Sequence, residues 1–499
     1  MRSSFALILY LCIASIIAAE IRNGQLHLEI NILEGQSIKI SSKGNLIISE
    51  IASPLSREYN DEVSLHLFQQ DQQKKWGLLN KTELIQPDSL RLYLDDTIRE
   101  KFVWLDSKLL LQYEKLTYED KYFDSKEAAE QYALQTGYPK KSIVNIPMQN
   151  ATLKVTTTNN KTHFYQLPVK IQTQNPISFN EQQFDYDGVF TVKQIDGKLI
   201  FNNLLDLENY IAGVVPNEIG NLAPDEALKA QAVAARTHAI SMLLFNKHAI
   251  DGYDLCNGTH CQVYKGNHLR TKSIDKAVLE TKGIVILYED KIADAVYHSN
   301  CGGKTETNQG AWAGKPIPFL QGVACFSELD SIDLSIESNA VNWINKDNQN
   351  SDMASWESRT SNWERSIKKS TLEKNSGVNN LRSINIVVRG YSGRILKLLL
   401  KGSNEITIDG EYKIRQMFGG LPSSFFQITN GKRTNSTYFI QDNILLRGKG
   451  AGHGVGLCQV GTIQKARMGW KWDELLRFYY PDTILSDDWL KTTYDKQSR

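Results

Sequence analysis

The chain has 499 residues, 41% of them hydrophobic, enough for two or three domains and a sizeable core. Its 57 Lys and Arg stand against 56 Asp and Glu. The basic excess that marks nucleic-acid binders is absent, which excludes a nucleic-acid partner; a neutral polymer such as a sugar chain is compatible.

Residues 1–19 read as an export signal. Arg2 supplies the positive start, Phe5 to Ile17 an apolar run, and Ala18-Ala19 small residues for cleavage. The run is shorter than the roughly 20 residues of a membrane span. Ile17 suits a signal peptidase poorly, so an uncleaved anchor is the second reading, and it would be the chain's only membrane contact. Cys12 has no small residues before it and is not a lipid attachment site. No later segment is apolar enough to span a bilayer. The expected location is outside the cytoplasm, in the periplasm or on the cell envelope.

Residues 20–172 alternate apolar and polar side chains in short runs, as in Gln25-Leu26-His27-Leu28-Glu29-Ile30 and Ser37-Ile38-Lys39-Ile40, which predicts strands. Ser125 to Thr136, rich in Ala, Glu and Gln, predicts a helix. No catalytic motif stands here, and the region reads as a β-rich accessory part, a spacer or a binding module. The pattern changes over residues 173–490. Val189 to Val192 and Lys198 to Phe201 flank Asp196-Gly197, a hairpin. Leu207 to Val215 is an apolar, strand-like run. Pro224, Asp225 and Glu226 open a helix expected to reach about Asn246, with Ala227, Ala230, Ala234, Ala235 and Ala239 permitting close packing. Ser273 to Thr281 predicts a helix ended by Gly283, and residues 284–288 and 293–297 predict two strands. Residues 327–380 are polar and weakly patterned around Trp343, Trp356 and Trp363, and read as an exposed insertion. Residues 384–388 and 395–400 form a second hairpin around Ser392-Gly393. A last helix runs from about Gln459 to Tyr479, stopped by Pro481. The fold class expected is α+β.

Five cysteines follow the signal: Cys256, Cys261, Cys301, Cys325 and Cys458. An odd number cannot all pair internally. Cys256, His260 and Cys261 place three soft or borderline ligands within six residues. His248 upstream would complete four ligands for a structural zinc ion; His268, His298 and Cys301 are alternatives for the fourth place. A disulfide between Cys256 and Cys261, or from either to Cys301, is the competing reading. No organic cofactor is indicated.

Glu218 follows the apolar run. At the edge of a core its carboxyl would be partly desolvated, which raises a carboxyl's pKa and suits a general acid. A carboxylate that merely neutralises the helix start is the plainer alternative. Lys229 with Arg236, and Gln231 with His238, repeat at seven-residue spacing and share a helix face. That face is either solvated or, because the rest of the helix is small and apolar, the border of a groove. The stretch from Tyr297 to Thr305 holds a glycine pair that permits a sharp turn against a ligand. His298, Ser299, Gly302, Gly303 and Lys304 would line a sugar groove; His298 with Cys301 as a thiol–imidazole pair is the weaker alternative. The first glycine of a phosphate loop is missing, which excludes a nucleotide site. Gly450 to Gly456, with His453 inside and Gln459 after, is a second glycine island, shaped for close approach or for a tight turn.

Together and in order, these islands resemble the stage II sporulation protein D / LytB amidase-enhancer (SpoIID/LytB) family over about residues 175–488. The resemblance rests on Tyr210 to Val215 with Glu218, Glu226 to Thr237, His260 to Tyr264, Cys301 to Thr305, Gly452 to Gly456 with Gln459, and Tyr479-Tyr480-Pro481 with Thr483. It implies a SpoIID-type catalytic domain with a substrate groove, behind a β-rich N-terminal region. It also implies a lytic transglycosylase that cleaves the MurNAc–GlcNAc bond of peptide-stripped peptidoglycan. Glu218 would be the single acid/base, protonating the glycosidic oxygen and then helping the C6 hydroxyl of the muramic sugar attack its own anomeric carbon; no second carboxylate is needed. A structural zinc site is implied too, matched by Cys256, His260 and Cys261. The family name equally covers a wall-binding protein that enhances a separate cell-wall amidase without cutting. A thiol hydrolase on Cys301 or Cys458 is a third option. Two departures stand out: Ile219-Gly220 replaces the family's Met-Pro, and Leu457-Cys458-Gln459 its Met-Ser-Gln.

Overall fold

A computed structural model of the chain describes residues 20–491, apart from 23–24, 43, 52–54, 61, 70–74, 86–97, 106–107, 119–124, 137–142, 147–150, 181–183, 246–247, 249–250 and 348–351. The export signal and Cys12 lie outside the described residues. Among those described, no helix is long and apolar enough to cross a membrane. The chain divides into two compact units: Met1–Asn217 with Ala239–Thr271 and Asp487–Arg499, and Glu218–His238 with Lys272–Ser486. The sequence pattern sets the boundary near 172 instead. Sheet pairing explains the shift. The hairpin of Val189–Ile195 and Lys198–Asp206 forms as expected, but its second strand pairs with Gln25–Gly35, from Leu199 opposite Gly35 to Asp206 opposite His27. It completes the first unit's sheet.

That sheet has eight strands, in the order Glu20–Arg22, Gln25–Gly35, Lys198–Asp206, Val189–Ile195, Val169–Thr173, Leu46–Glu50 and Ser56–Tyr59, with Leu255–Cys256 parallel to Gln25–Gly35. Asp196 and Gly197 both take positive φ, 51° and 75°, a turn whose twist matches that of the strands. Leu28, Ile30, Ile38 and Ile40 are fully buried, as their alternation demands. Two five-stranded sheets complete the β-rich part. Helix α1 (Lys126–Thr136) buries Ala129 and Ala133. The apolar run before Glu218 is a helix, α2 (Leu207–Glu218), and not a strand. Leu207, Tyr210, Ile211, Val214 and Val215 recur at helical spacing, yet Ala212 and Gly213 are buried as well. A stretch that is apolar all round hides its period.

Helix α3 (Asp225–Phe245) starts directly after Pro224 and α4 (Lys272–Glu280) precedes Gly283, both as expected. The boundary between units falls inside α3. Strand Val285–Tyr288 turns sharply at Glu289-Asp290 and pairs Leu287 with Ile292, so its partner is Lys291–Ile292 and not 293–297. Tyr297–His298 instead pairs in parallel with Leu457–Cys458. The second hairpin joins Ser383–Arg389 to Ile395–Lys401 inside a five-stranded sheet. Residues 327–380 are not an exposed insertion. They form helices Glu337–Asn345, Ser355–Ser361 and Lys369–Ser376 and strand Trp363–Lys368. Trp343 packs with Leu329, Leu334, Ala340, Ile344 and Phe425, and Trp363 joins a larger core cluster. The closing helix is two, Gln459–Arg467 and Trp472–Tyr479, broken where Gly469 takes φ +95.

Candidate functional site

Glu218 ends α2 and is half-buried, with Ile219 buried behind it. Gly220 takes φ +88, a conformation closed to proline, whose ring fixes φ near about −65°. The departure from Met-Pro is therefore a different backbone path after the carboxylate. A Cβ on Gly220 would lie 3.7 Å from Trp356 Nε1, so this segment abuts helix Ser355–Ser361. The same helix holds the turn after Tyr297: Asn300 Nδ2 donates to Thr360 Oγ1 at 3.2 Å and to Ser361 Oγ at 3.1 Å. Its buried Glu357 receives both Nη atoms of Arg467 at 3.0 Å and Gln464 Nε2 at 2.9 Å. That charge-assisted fork fixes the helix against Gln459–Arg467.

The two glycine islands interlock. Besides the parallel pair, Asn300 exchanges backbone hydrogen bonds with Ala451 at 3.0 and 2.8 Å, and Glu306 bridges Val455. Arg394, fully buried, clamps both: Nη1 donates to Cys301 O at 2.9 Å, and Nη2 to Asn300 O at 3.2 Å and Gly452 O at 3.4 Å. Burial lowers its pKa, against the opposing pull of Glu411 and Glu306. Glu306 is buried as well and accepts from Ser392 N and Oγ at 3.1 and 2.6 Å. A Cβ on Gly454 would lie 2.5 Å from Arg394 Cζ, and one on Gly456 2.0 Å from Val296 O, both at positive φ. The second island is thus glycine-rich because the chain's own atoms press on it.

His453 accepts from Val455 N at Nδ1, 3.1 Å, and its Nε2–H donates to Tyr297 O at 3.0 Å, which sets the tautomer. Burial first, then His298 and Arg394, push its pKa well below the usual imidazole range, so the ring is neutral. His298 has the other tautomer: Nδ1–H donates to Val455 O at 3.0 Å, and Nε2 has no hydrogen-bond partner. Trp312, half exposed, packs on His453 with centroids 4.8 Å apart and the rings tilted by 46°. An indole held open to solvent in this way suits the apolar face of a sugar ring.

Several expected sugar contacts face protein instead. Arg236 is fully buried and donates to Ile284 O at 3.0 Å. Lys304 is buried, donates to Ile332 O at 2.8 Å and lies over the Tyr391 ring. Gly302 O accepts from Trp343 Nε1 at 2.7 Å, and a Cβ on Gly303 would strike that indole. As direct sugar contacts these four do not hold; Gly302, Gly303 and Lys304 shape the turn, and Arg236 holds Ile284. His298 is buried, and Ser299, partly exposed, accepts from Val460 N at 3.0 Å. Gln231 and Gln459 meet each other at 3.4 Å inside the core. Lys229 stays partly exposed between Glu280 at 2.7 Å and Glu226 at 3.2 Å; the hydrogen bond from Glu280 leads in raising its pKa. Cys301 and Cys458 are 2% and 1% exposed, too enclosed to attack a polymer, so the thiol hydrolase option loses its nucleophile. Sequence reasoning missed Arg394, Glu306 and Trp312. Arg394 looks like any polar residue after a turn. Trp312 had one signal, an aromatic inside Gly310-Ala311-Trp312-Ala313-Gly314.

In the first unit, one ligand atom each from His248, Cys256, His260 and Cys261 lies within 4.8 Å of all the others. Strand Leu255–Cys256 anchors the loop on Gln25–Gly35, and Cys261 N donates to Gly258 O at 3.0 Å to close it. His248 Nε2 is 3.1 Å from Cys261 Sγ, while its Nδ1 meets Asp251 Oδ2 at 2.7 Å. A carboxylate behind a histidine orients it as a ligand. The Cys256 thiol is pulled down to about 3, first by Cys261 and, against burial, by His248. Neither cysteine is in a disulfide. Two sulfurs and two imidazoles at this spacing fit a tetrahedral zinc ion. His268 lies apart, against Phe184.

The architecture is that of an α+β protein with a β-rich N-terminal part, and its second unit gathers a half-buried carboxylate and two interlocked glycine turns. Residues 196–288 match the stage II sporulation protein (SpoIID) model, so the chain carries a SpoIID domain. Residues 306–456, including the whole stretch expected as an insertion, match a domain of unknown function. The chain is 28% identical to an uncharacterized protein of Brachyspira hyodysenteriae over 331 residues, 66% of this chain and 79% of that one. It is 28% identical to the amidase enhancer of Bacillus subtilis over 362 residues, 67% of this chain but 48% of that protein, and so spans about half its length. Stage II sporulation protein D of Bacillus subtilis is 25% identical over 296 residues, 57% of this chain and 75% of that one. These matches give the chain a family-level role at the cell wall.

Proposed function

We propose that the chain is a lytic transglycosylase that cleaves MurNAc–GlcNAc bonds in peptidoglycan strands freed of stem peptides and leaves 1,6-anhydro-MurNAc ends. Glu218 carries the reading: a half-buried carboxyl ending α2, inside the segment matched to SpoIID. A carboxyl in this position can serve as a general acid and give up its proton. Glu218 protonates the glycosidic oxygen and the bond to the anomeric carbon breaks. The same carboxylate then takes the proton of the C6 hydroxyl, whose oxygen closes on that carbon. No water and no second carboxylate take part. Trp312, beside the neutral His453, offers the sugar an uncharged aromatic face.

His248, Cys256, His260 and Cys261 would hold a structural zinc ion, which braces their loop and takes no part in the chemistry. The protein is exported, to the periplasm or the cell envelope, where glycan strands are its partner. The second reading, a non-catalytic protein that enhances a cell-wall amidase, is favoured by the similarity to the Bacillus subtilis amidase enhancer and by the altered path at Gly220.

Peptide-stripped glycan incubated with the protein and examined by mass spectrometry separates the two. Wild type should generate anhydro ends and Glu218→Gln should lower them by about 10²–10⁴-fold at unchanged melting temperature, the span of a general acid–base contribution. If neither makes anhydro ends yet both bind glycan, the enzymatic reading fails and the enhancer stands.

A further inference from the structure

Three of the five cysteines meet in the second unit, and nothing above uses them. The Sγ atoms of Cys301, Cys325 and Cys458 all lie within 4.8 Å of one another, and all three are free thiols. Their polar surroundings suit sulfur that carries charge. Cys458 caps helix Gln459–Arg467, and its Sγ accepts from Gly461 N at 3.3 Å and Cys301 N at 3.1 Å. Cys301 Sγ accepts from Gly303 N at 3.2 Å, and Cys325 Sγ is 3.3 Å from Tyr479 Oη. N–H donors and a helix start favour thiolate at Cys458, while burial pushes the Cys301 thiol up. His298, opposite Cys458 in the parallel pair, is 4% exposed, and its ring does not join the group of three sulfurs. A cleft with about 70 Å³ of free space reaches the sulfurs, lined also by the thioethers of Met353 and Met468 and by Lys449.

We propose that Cys301, Cys325 and Cys458 bind one Cu(I) ion as a three-coordinate thiolate site, entered through the methionine-lined cleft. Three soft donors satisfy Cu(I), whereas zinc asks for a fourth ligand. Thioethers are soft donors too, and serve an ion in transit. On binding, each coordinating thiol passes its proton to water in the cleft as a copper–sulfur bond forms, and the metal keeps its oxidation state. Backbone N–H groups on sulfur, with Lys449 on the wall, offset the charge that remains. The site depends neither on Glu218 nor on the first unit's His/Cys group.

Full-length protein, reduced and kept from oxygen, is titrated with Cu(I) held by a chromophoric chelator. Wild type should take up one more Cu(I) per chain than Cys325→Ser, a difference that cancels uptake by the first unit's thiols. In the Cys256→Ser, Cys261→Ser double variant, copper X-ray absorption should show a shell of three sulfurs. This second measurement stands even if Cys325→Ser fails to fold. Equal uptake by wild type and a folded Cys325→Ser, nitrogen or oxygen in the copper shell, or a disulfide among the three that persists in the reduced preparation would each overturn the assignment.

Discussion

Trp312 and Arg394 show two ways in which a side chain serves the site. Trp312 spends half its surface on solvent and the rest on His453, so the fold gains little from it. Trp312→Ala should leave thermal stability unchanged and weaken glycan binding about tenfold, roughly 1.4 kcal/mol. Unaltered binding, measured by sedimentation with insoluble glycan, would remove the platform from the proposal. Arg394 touches no substrate and has no solvent, yet three carbonyls from both glycine islands depend on it. Neither residue was legible in the sequence as a partner of His453 or Gly452, because their contacts cross long stretches of chain that no local pattern encodes. Glu218, His453 and the run Cys256, His260, Cys261 stood out in the sequence, since each sits in a short segment whose composition is unusual on its own. The charged residues of the α3 face were misjudged for the opposite reason: spacing reveals a shared face, but not which wall that face meets. Arg236 meets the strand at Ile284.

Turns carry the clearest information at the level of elements. Asp196-Gly197 specified its hairpin because few dipeptides accept two positive φ values in succession. Gly456 and Gly469 look alike as letters but differ in what surrounds them. At Gly456 an added Cβ meets Val296 O at 2.0 Å, whereas at Gly469 nothing lies within 4 Å. Gly456→Ala should therefore cost about 3 kcal/mol or more, from strain and overpacking together. Gly469→Ala should cost only about 1 kcal/mol, for the left-handed backbone alone. Urea unfolding of the two variants checks the ranking, and equal midpoints would contradict it. The elements misread from sequence share a cause. The α2 run is buried on every side, and residues 327–380 bury few but large side chains, so neither shows the periodic contrast on which pattern reading relies.

The chain divides into two units, and the proposed zinc site and the proposed catalytic carboxylate fall in different ones, which makes their stabilities separable. A chelator that strips zinc from His248, Cys256, His260 and Cys261 should lower a melting transition of the first unit and leave that of the second in place. Elemental analysis should find about one zinc per chain in wild type and none in Cys261→Ser at this site; zinc-free wild type prepared under reducing conditions would dismiss the metal. The first unit draws on three separate stretches of chain, and strand Leu490–Lys491, near the very end, pairs in parallel with Lys108–Tyr118. A ribosome making this protein therefore delivers that strand only after every residue of the second unit. Until then the Lys108–Tyr118 edge is left without one of its neighbours, a bare template for other chains. A nascent chain released early, even a few residues short of 490, would carry the second unit intact and still present that edge to aggregation.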